Sequence, residues 1–215
     1  TAYAVVDGVD GRTHHIKLPD IEAAGDSAPG SIVELRAFED AKGDRRVALA
    51  TRSDLSIEAQ TTASGATWLD RQLVARDPAD LGGGFGLGVK QALEARADRL
   101  IQEGMARRDG ARILFNRNLI GTLRQRELDA LGDRLAAETG MPFQKSAAGE
   151  YVTGAYRQRF ALASGRFAMI DDGLGFKLVP WTPSIEKHIG QHISGVARAD
   201  GGIDWNFGKQ RGLGL

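Results

Sequence analysis

The chain has 215 residues, of which 42% are hydrophobic and 26% charged, with 28 Lys and Arg against 28 Asp and Glu. These are the proportions of an ordinary globular protein, long enough for two or three small modules. Zero cysteines exclude disulfides and thiolate metal sites. The absence of an 18-residue apolar run excludes a membrane-spanning helix, and a formal net charge of zero excludes a globally basic nucleic-acid binder, leaving only local patches.

The chain opens on Thr1 with no initiator methionine, inside what reads as a strand, so we expect a domain excised from a longer protein. Residues 1–60 read as a first module. Tyr3 to Val6 and Thr13 to Leu18 flank the turn Asp7-Gly8-Val9-Asp10-Gly11. Pro29-Gly30 turns into Ile32 to Arg36, and Asp40 to Asp44 turns into Arg46 to Ala50. Four or five short strands with Gly-rich turns predict a small barrel of the OB or SH3-like sort. Such barrels bind oligonucleotides, or serve as structural and docking units. Tyr3 and Phe38 are thin material for base stacking.

Residues 61–142 read as a helical second module. The polar stretch Ser53 to Gly65 reads as a linker. Thr67 caps a short helix with Asp70 three residues on, a variant of the capping box, and Trp68, Leu69, Leu73 and Val74 form its apolar face. The run Gly82-Gly83-Gly84-Phe85-Gly86-Leu87-Gly88 lacks the Lys-Ser/Thr of a P-loop and no strand precedes it, so it reads as a flexible lead-in to a helix. Val89, Leu93, Ala97, Leu100 and Ile101 recur at helical spacing until Gly104. Asp109-Gly110, between Met105–Arg108 and Ala111–Phe115, signals a hairpin with a type I′ turn. A second long helix carries Ile120, Leu123, Leu128, Leu131 and Leu135 on one face and ends at Gly140 and Pro142.

Helix, hairpin, helix predicts a winged-helix-like arrangement, in which a helix enters the major groove and the wing grips phosphates. Residues 85–126 hold nine basic side chains against four acidic ones. Eight of the nine are arginines: Arg96, Arg99, Arg107, Arg108, Arg112, Arg117, Arg124 and Arg126. They form the candidate nucleic-acid-binding set, because guanidinium groups bind phosphate bidentately. The bland alternative is a solvated helix surface, since extending the window to Glu138 adds four acids and one Arg.

Residues 143–215 read as a second small β-barrel-like module. Tyr151 to Leu162 and Arg166 to Ile170 are strands around Ser164-Gly165, and Phe176, Leu178, Val179 and Trp181 supply a buried strand after Asp171-Asp172-Gly173. Thr182 and Pro183 start a short helix that Gly190 ends, and Ile193–Ala197 with Ile203–Phe207 make a last hairpin. Trp181 and Trp205 read as core anchors. Arg157, Arg159, Arg166, Lys177 and Arg198 could form a basic face, countered by six acids. The fold class expected is therefore α+β: two barrel-like modules flanking a helical, winged-helix-like middle.

The tail from Gly149 to Leu215, with GFKLVPW, PSIEKHIGQHISGV and the closing RGLGL, resembles the C-terminal region of VirD-type conjugative relaxases, or mobilisation nucleases, a region catalogued as a domain of unknown function. The stretches AYAVVDGVDGR, ATWLDRQLVA, GFGLGVKQALEARADRLIQEGMARRDG and ILFNRNLIGTLRQRELDALGDRLAAETG extend the resemblance over nearly the whole chain. It implies DNA processing in plasmid conjugation, a cytoplasmic protein that can be carried into a recipient cell with DNA, and a nuclease module upstream. The motifs of that nuclease are not found here. His14-His15 is an adjacent pair pointing to opposite faces of a strand, and Gly190 interrupts the i, i+4 pair His188 and His192.

No catalytic residue, metal site or cofactor is assigned. The expected function is a non-catalytic accessory region that binds DNA, either the transferred strand or the origin duplex. The alternative is a protein-interaction module that docks the relaxase to the secretion coupling protein or to relaxosome components, with RGLGL as a docking tail. An enzyme with its own site is the weakest reading, because no nucleophile–base pair or paired carboxylate motif stands out.

Overall fold

The fold is that of a computed structural model and is described for residues 1–207; the expected docking tail at 211–215 lies outside the described residues. The chain is α+β, with antiparallel sheets and five α-helices among the described residues. No closed barrel occurs among them. The backbone divides into two units, one of Thr1–Arg126 with Ala163–Gly165 and one of Glu127–Leu162 with Arg166 onward.

In the first unit, β1 (Ala2–Asp7) pairs with β2 (Thr13–Leu18), and β3 (Ile32–Glu39) pairs with β4 (Arg45–Ser53). The two hairpins share no strand pairing, so the barrel expected over residues 1–60 does not form. A closed barrel needs an inward apolar face on every strand. β3 buries only Ile32, and β2 buries only Leu18.

The polar stretch expected as a linker is ordered. Ser56 caps α1 (Ile57–Thr62), its hydroxyl accepting from the Ala59 N–H at 3.2 Å, and Ile57 and Gln60 are buried. The Gln60 amide then ties α1 to its surroundings, donating to the Leu55 carbonyl and accepting from the Leu69 N–H. α2 (Trp68–Val74) starts in the full capping box of Thr67 and Asp70. α3 (Phe85–Gln102) buries Val89, Ala92, Ala97 and Leu100.

The glycine run before α3 is docked rather than loose. The Gly82 N–H donates to the Val9 carbonyl at 2.8 Å. A Cβ on Gly82 would strike the Asp10 carbonyl, one on Gly86 the Val9 carbonyl, and one on Gly11 would lie 2.7 Å from the Gly83 oxygen. These glycines let the β1–β2 turn and the start of α3 pack backbone to backbone.

After α3, β5 (Ala106–Asp109) and β6 (Arg112–Phe115) form a hairpin with Asp109 opposite Arg112. Its two-residue loop is Gly110-Ala111, and only Gly110 has positive φ, at 59°. That pattern matches type II′, which needs glycine at the first loop position alone, rather than the expected type I′. α4 (Leu119–Thr139) follows Asn118, the one non-glycine residue with positive φ among those described. Leu119 and Leu123 pack with Ala66, Leu100 and Ala106 in one core, flanked by Leu73, Ile113 and Phe115.

In the second unit, β7 (Tyr151–Leu162), β8 (Gly165–Asp171), β9 (Phe176–Pro180), β10 (His192–Ala197) and β11 (Ile203–Asn206) form one sheet in the order β11-β10-β7-β8-β9. One face holds Val152, Tyr156, Ala168, Ile170 and Val179 with Ile185 of α5 (Pro183–Glu186), and Trp181 and Trp205 pack at its border. The other holds Met169 and Phe176 against Leu131 and Leu135 of α4. Covering both faces explains the continuous apolar run of β8. β9 and β11 remain as edges, so the module is an open sheet rather than the expected barrel.

Candidate nucleic-acid interface

The eight candidate arginines serve different ends, and burial separates them. Arg96 lies on the inner face of α3 with a side chain 1% exposed, paired with Asp70 at 0%. Its Nε and Nη2 donate to the two Asp70 oxygens at 2.8 and 2.9 Å. The remaining donors reach the Ala63 carbonyl at 2.6 Å and the Gly65 carbonyl at 2.9 Å. Asp70 also accepts from the Thr67 N–H and hydroxyl. A fully desolvated charge survives only with this degree of pairing. Arg96 therefore folds the 61–70 segment and is closed to solvent, which removes it from the surface set.

Arg126 extends the same clasp. Its Nε and Nη2 donate to the Ser64 carbonyl at 2.9 and 2.5 Å, while Nη1 binds Glu103 at 2.9 Å. Glu103 also takes Arg99 at 2.7 Å. Burial pushes the Glu103 carboxyl up, but the Arg126 and Arg99 guanidiniums outweigh it and hold it below the usual glutamate range. Arg99 and Arg126 thus share one carboxylate.

The hairpin divides the next three. Arg107, Asp109, Arg112 and Leu114 share one exposed face, because Arg107 stands opposite Leu114 and Asp109 opposite Arg112. Ala106, Arg108, Ile113 and Phe115 share the other, which packs on the core through Ala106, Ile113 and Phe115. Arg108 reaches from this inner face to Asp98 of α3 at 2.6 Å. Arg107 and Arg112 make no ion pair or side-chain hydrogen bond among the described residues, and neither does exposed Arg117 just before α4. Arg124, half-buried on α4, likewise has no partner among them.

Two arginines outside the candidate set adjoin it. Arg71 of α2 donates through Nη1 to the Ala66 and Thr67 carbonyls at 3.1 and 3.3 Å. Partial burial of its guanidinium and the neighbouring Arg124 hold it below the usual arginine range, with Arg52 adding to the effect. Arg52 itself pairs with Glu34. Arg71 belongs to a helix read from its apolar face alone, and nothing in sequence spacing relates it to Arg124, fifty-three positions on.

Several basic residues of the second unit are engaged. Arg157 pairs with Asp171 at 3.0 Å, Lys177 with Glu150 at 3.4 Å, and Arg198 with Asp200 and Asp204. Arg159 and Arg166 stack over the Trp181 ring at 4.8 and 5.4 Å, while its indole N–H donates to Glu186 at 2.7 Å. Three of the four histidines bond locally: His14 to Asp10, His188 to Gln191 and His192 to Thr153. Among the described residues no group of three or more His, Asp or Glu side chains could hold a metal ion. No helix among them is long and apolar enough to cross a membrane.

Residues 34–214 match the family described as protein of unknown function (DUF3363). The chain belongs to this family. The matched span opens inside β3 and includes the arginine clasp, the β5–β6 hairpin and the whole described part of the second unit. No curated protein and no solved structure matches the chain.

Proposed function

We propose that this DUF3363 chain is a non-catalytic accessory region of a VirD-type conjugative relaxase that binds DNA through the phosphate backbone during plasmid mobilisation. The observation that carries the reading is the trio Arg107, Arg112 and Arg117, three exposed guanidiniums with no acidic partner among the described residues, on and beside one hairpin. An exposed arginine without a carboxylate is free to trade solvent for phosphate. In this reading α3, the β5–β6 hairpin and α4 act as a winged-helix-like unit with the hairpin as wing. Of the other candidate arginines, Arg96, Arg99, Arg108 and Arg126 keep their own carbonyls or carboxylates and Arg124 is half-buried, so phosphate contacts from this set are few and the protein works in the cytoplasm beside other DNA-holding parts of the relaxase.

Fluorescence-anisotropy titrations with single-stranded and duplex oligonucleotides over a salt series test the reading. We expect binding whose log affinity falls with log salt by about 0.7–0.9 per phosphate contact, with little dependence on base sequence. The same preparation should leave supercoiled origin DNA un-nicked. Absence of binding at low salt would reject the DNA reading and favour docking to the secretion coupling machinery.

A further inference from the structure

β3 is an open edge. β4 stands on one side of it, and no strand pairs with the other side among the described residues. The 22–27 segment lies against β4: a Cβ on Gly25 would sit 3.6 Å from the Leu49 oxygen, and the Ser27 and Thr51 hydroxyls hydrogen-bond at 2.5 Å. On β3, by contrast, every residue from Glu34 to Glu39 is exposed, Leu35 and Phe38 to 50% each.

The backbone groups along this edge can be assigned. The Asp40 N–H donates to the Asp44 carbonyl at 3.0 Å, so these two residues form a hydrogen-bonded pair. Alternation along the antiparallel ladder then turns the N–H and C=O of Glu39, Ala37 and Leu35 away from β4. The same alternation turns the Leu49 carbonyl away from β3, on the side where Gly25 meets it. A row of unpaired donors and acceptors is a template for another strand.

The side chains select that strand. Glu34 and Arg36 share one face, 3.9 Å apart, and Val33, Leu35 and Ala37 share the other. A second β3 laid antiparallel with Leu35 opposite Leu35 places Glu34 opposite Arg36 twice and Val33 opposite Ala37 twice. An axis at Glu34 or at Arg36 would set like charges face to face, and one at Ala37 would set Glu34 opposite Asp40. The edge is therefore complementary to itself in the register centred on Leu35.

We propose that two copies of this chain form a symmetric dimer by antiparallel pairing of their β3 edges, with Leu35 at the two-fold axis. Both copies use the same patch, as closed two-fold symmetry requires. Pairing turns two ribbons into one four-stranded sheet, and an isolated two-stranded ribbon is marginal where three or more strands with an apolar face are not. Leu35 and Ala37, which stand opposite Leu49 and Val47, then join a continuous apolar row. Glu34 keeps its pairing with Arg52 and exchanges a loose contact with Arg36 of its own strand for a direct one across the axis.

Sedimentation equilibrium of the full chain over a concentration series tests the dimer. The mass should rise with concentration from 23.1 kDa toward twice that value. Glu34→Arg and Arg36→Glu should each weaken self-association by roughly tenfold, because both symmetric pairs become repulsive. Mixed in equal amounts, the two variants should associate about as tightly as the parent, since every charge pair across the axis is again opposite in sign. Leu35→Lys should stay monomeric where the parent is dimeric. Thermal midpoints at low concentration serve as the folding control. A parent that keeps the monomer mass into the high-micromolar range would overturn the dimer and leave the edge to a strand from another protein. Single charge variants that associate as the parent does, or a mixture that stays monomeric, would overturn the register and the proposal with it.

Discussion

Arg96 and Arg107 have the same side chain and lie on neighbouring elements, yet their environments assign them opposite roles. Arg96 is a buried strut. Removing one member of a buried, hydrogen-bonded pair leaves the other charge uncompensated, at a cost of about 3–5 kcal/mol. Arg96→Met and Asp70→Asn should each lower unfolding free energy by that order in urea titrations, and the double variant should lose less than their sum. Glycine positions allow a sharper contrast. Gly86→Ala drives a methyl into the Val9 carbonyl and should cost about 1–3 kcal/mol. Gly83→Ala has open space around it and a backbone that alanine tolerates, so it should be neutral or stabilise by about 0.4–1 kcal/mol. Similar losses at both glycines would contradict a docked turn.

Glu103 makes stability depend on pH. Its carboxyl is held below the ordinary value of 4.5 in the folded state. The unfolded chain then binds the proton more readily, so the stabilisation is complete above 4.5 and disappears as pH falls through the folded value. Asp10, Asp40, Glu150, Asp172 and Asp200 are shifted the same way by their own hydrogen bonds. Urea midpoints of the parent should fall steadily below about pH 4.5, and those of Glu103→Gln should fall less steeply over that window. An identical pH profile in the two proteins would show that Glu103 contributes nothing to acid lability.

At the scale of elements, the hairpin illustrates what local sequence can specify. Asp109-Gly110 signals a tight turn because glycine alone adopts positive φ cheaply, and the turn is there. The register is not legible. Moving the loop from Asp109-Gly110 to Gly110-Ala111 determines that Arg108 shares the inner face with Ile113 while Arg107 and Arg112 share the outer one. The apolar periodicities of α3 and α4 are legible, since a 3.6-residue stripe reports burial directly. What periodicity hides is a charged residue placed inside such a stripe. Arg96 falls one residue before Ala97, and its partner Asp70 sits twenty-six positions away, so only the folded chain reveals the pair. α1 resembles a linker because its residues are polar and small, yet a Ser cap and two well-placed buried side chains suffice once α2 and α3 supply the packing.

At the scale of the whole molecule, the balanced charge of 28 basic and 28 acidic residues allows extensive pairing. Arginines of both units have found a carboxylate, a carbonyl cluster or an indole, which takes them out of the cations open to a ligand. The strand count is legible from alternation and turns, but closure is not. Whether neighbouring hairpins join depends on edge pairing between distant segments, and β3 lacks the inward apolar face that would compel it. Composition offers eight candidate arginines; burial and partners reduce the exposed, unpartnered members of that set to Arg107, Arg112 and Arg117.

That division is open to one direct measurement, made on two variants side by side. Arg107→Ala with Arg112→Ala and Arg117→Ala should weaken DNA binding across sequences and flatten the salt dependence by about 0.7–0.9 for each phosphate no longer bound. Its unfolding free energy should stay within about 0.5 kcal/mol per site of the parent. Arg96→Met should do the reverse, losing stability while the protein that remains folded binds DNA with the parent's salt slope. A triple variant that binds DNA as the parent does, with the same slope, would contradict the assignment of these three guanidiniums to phosphate.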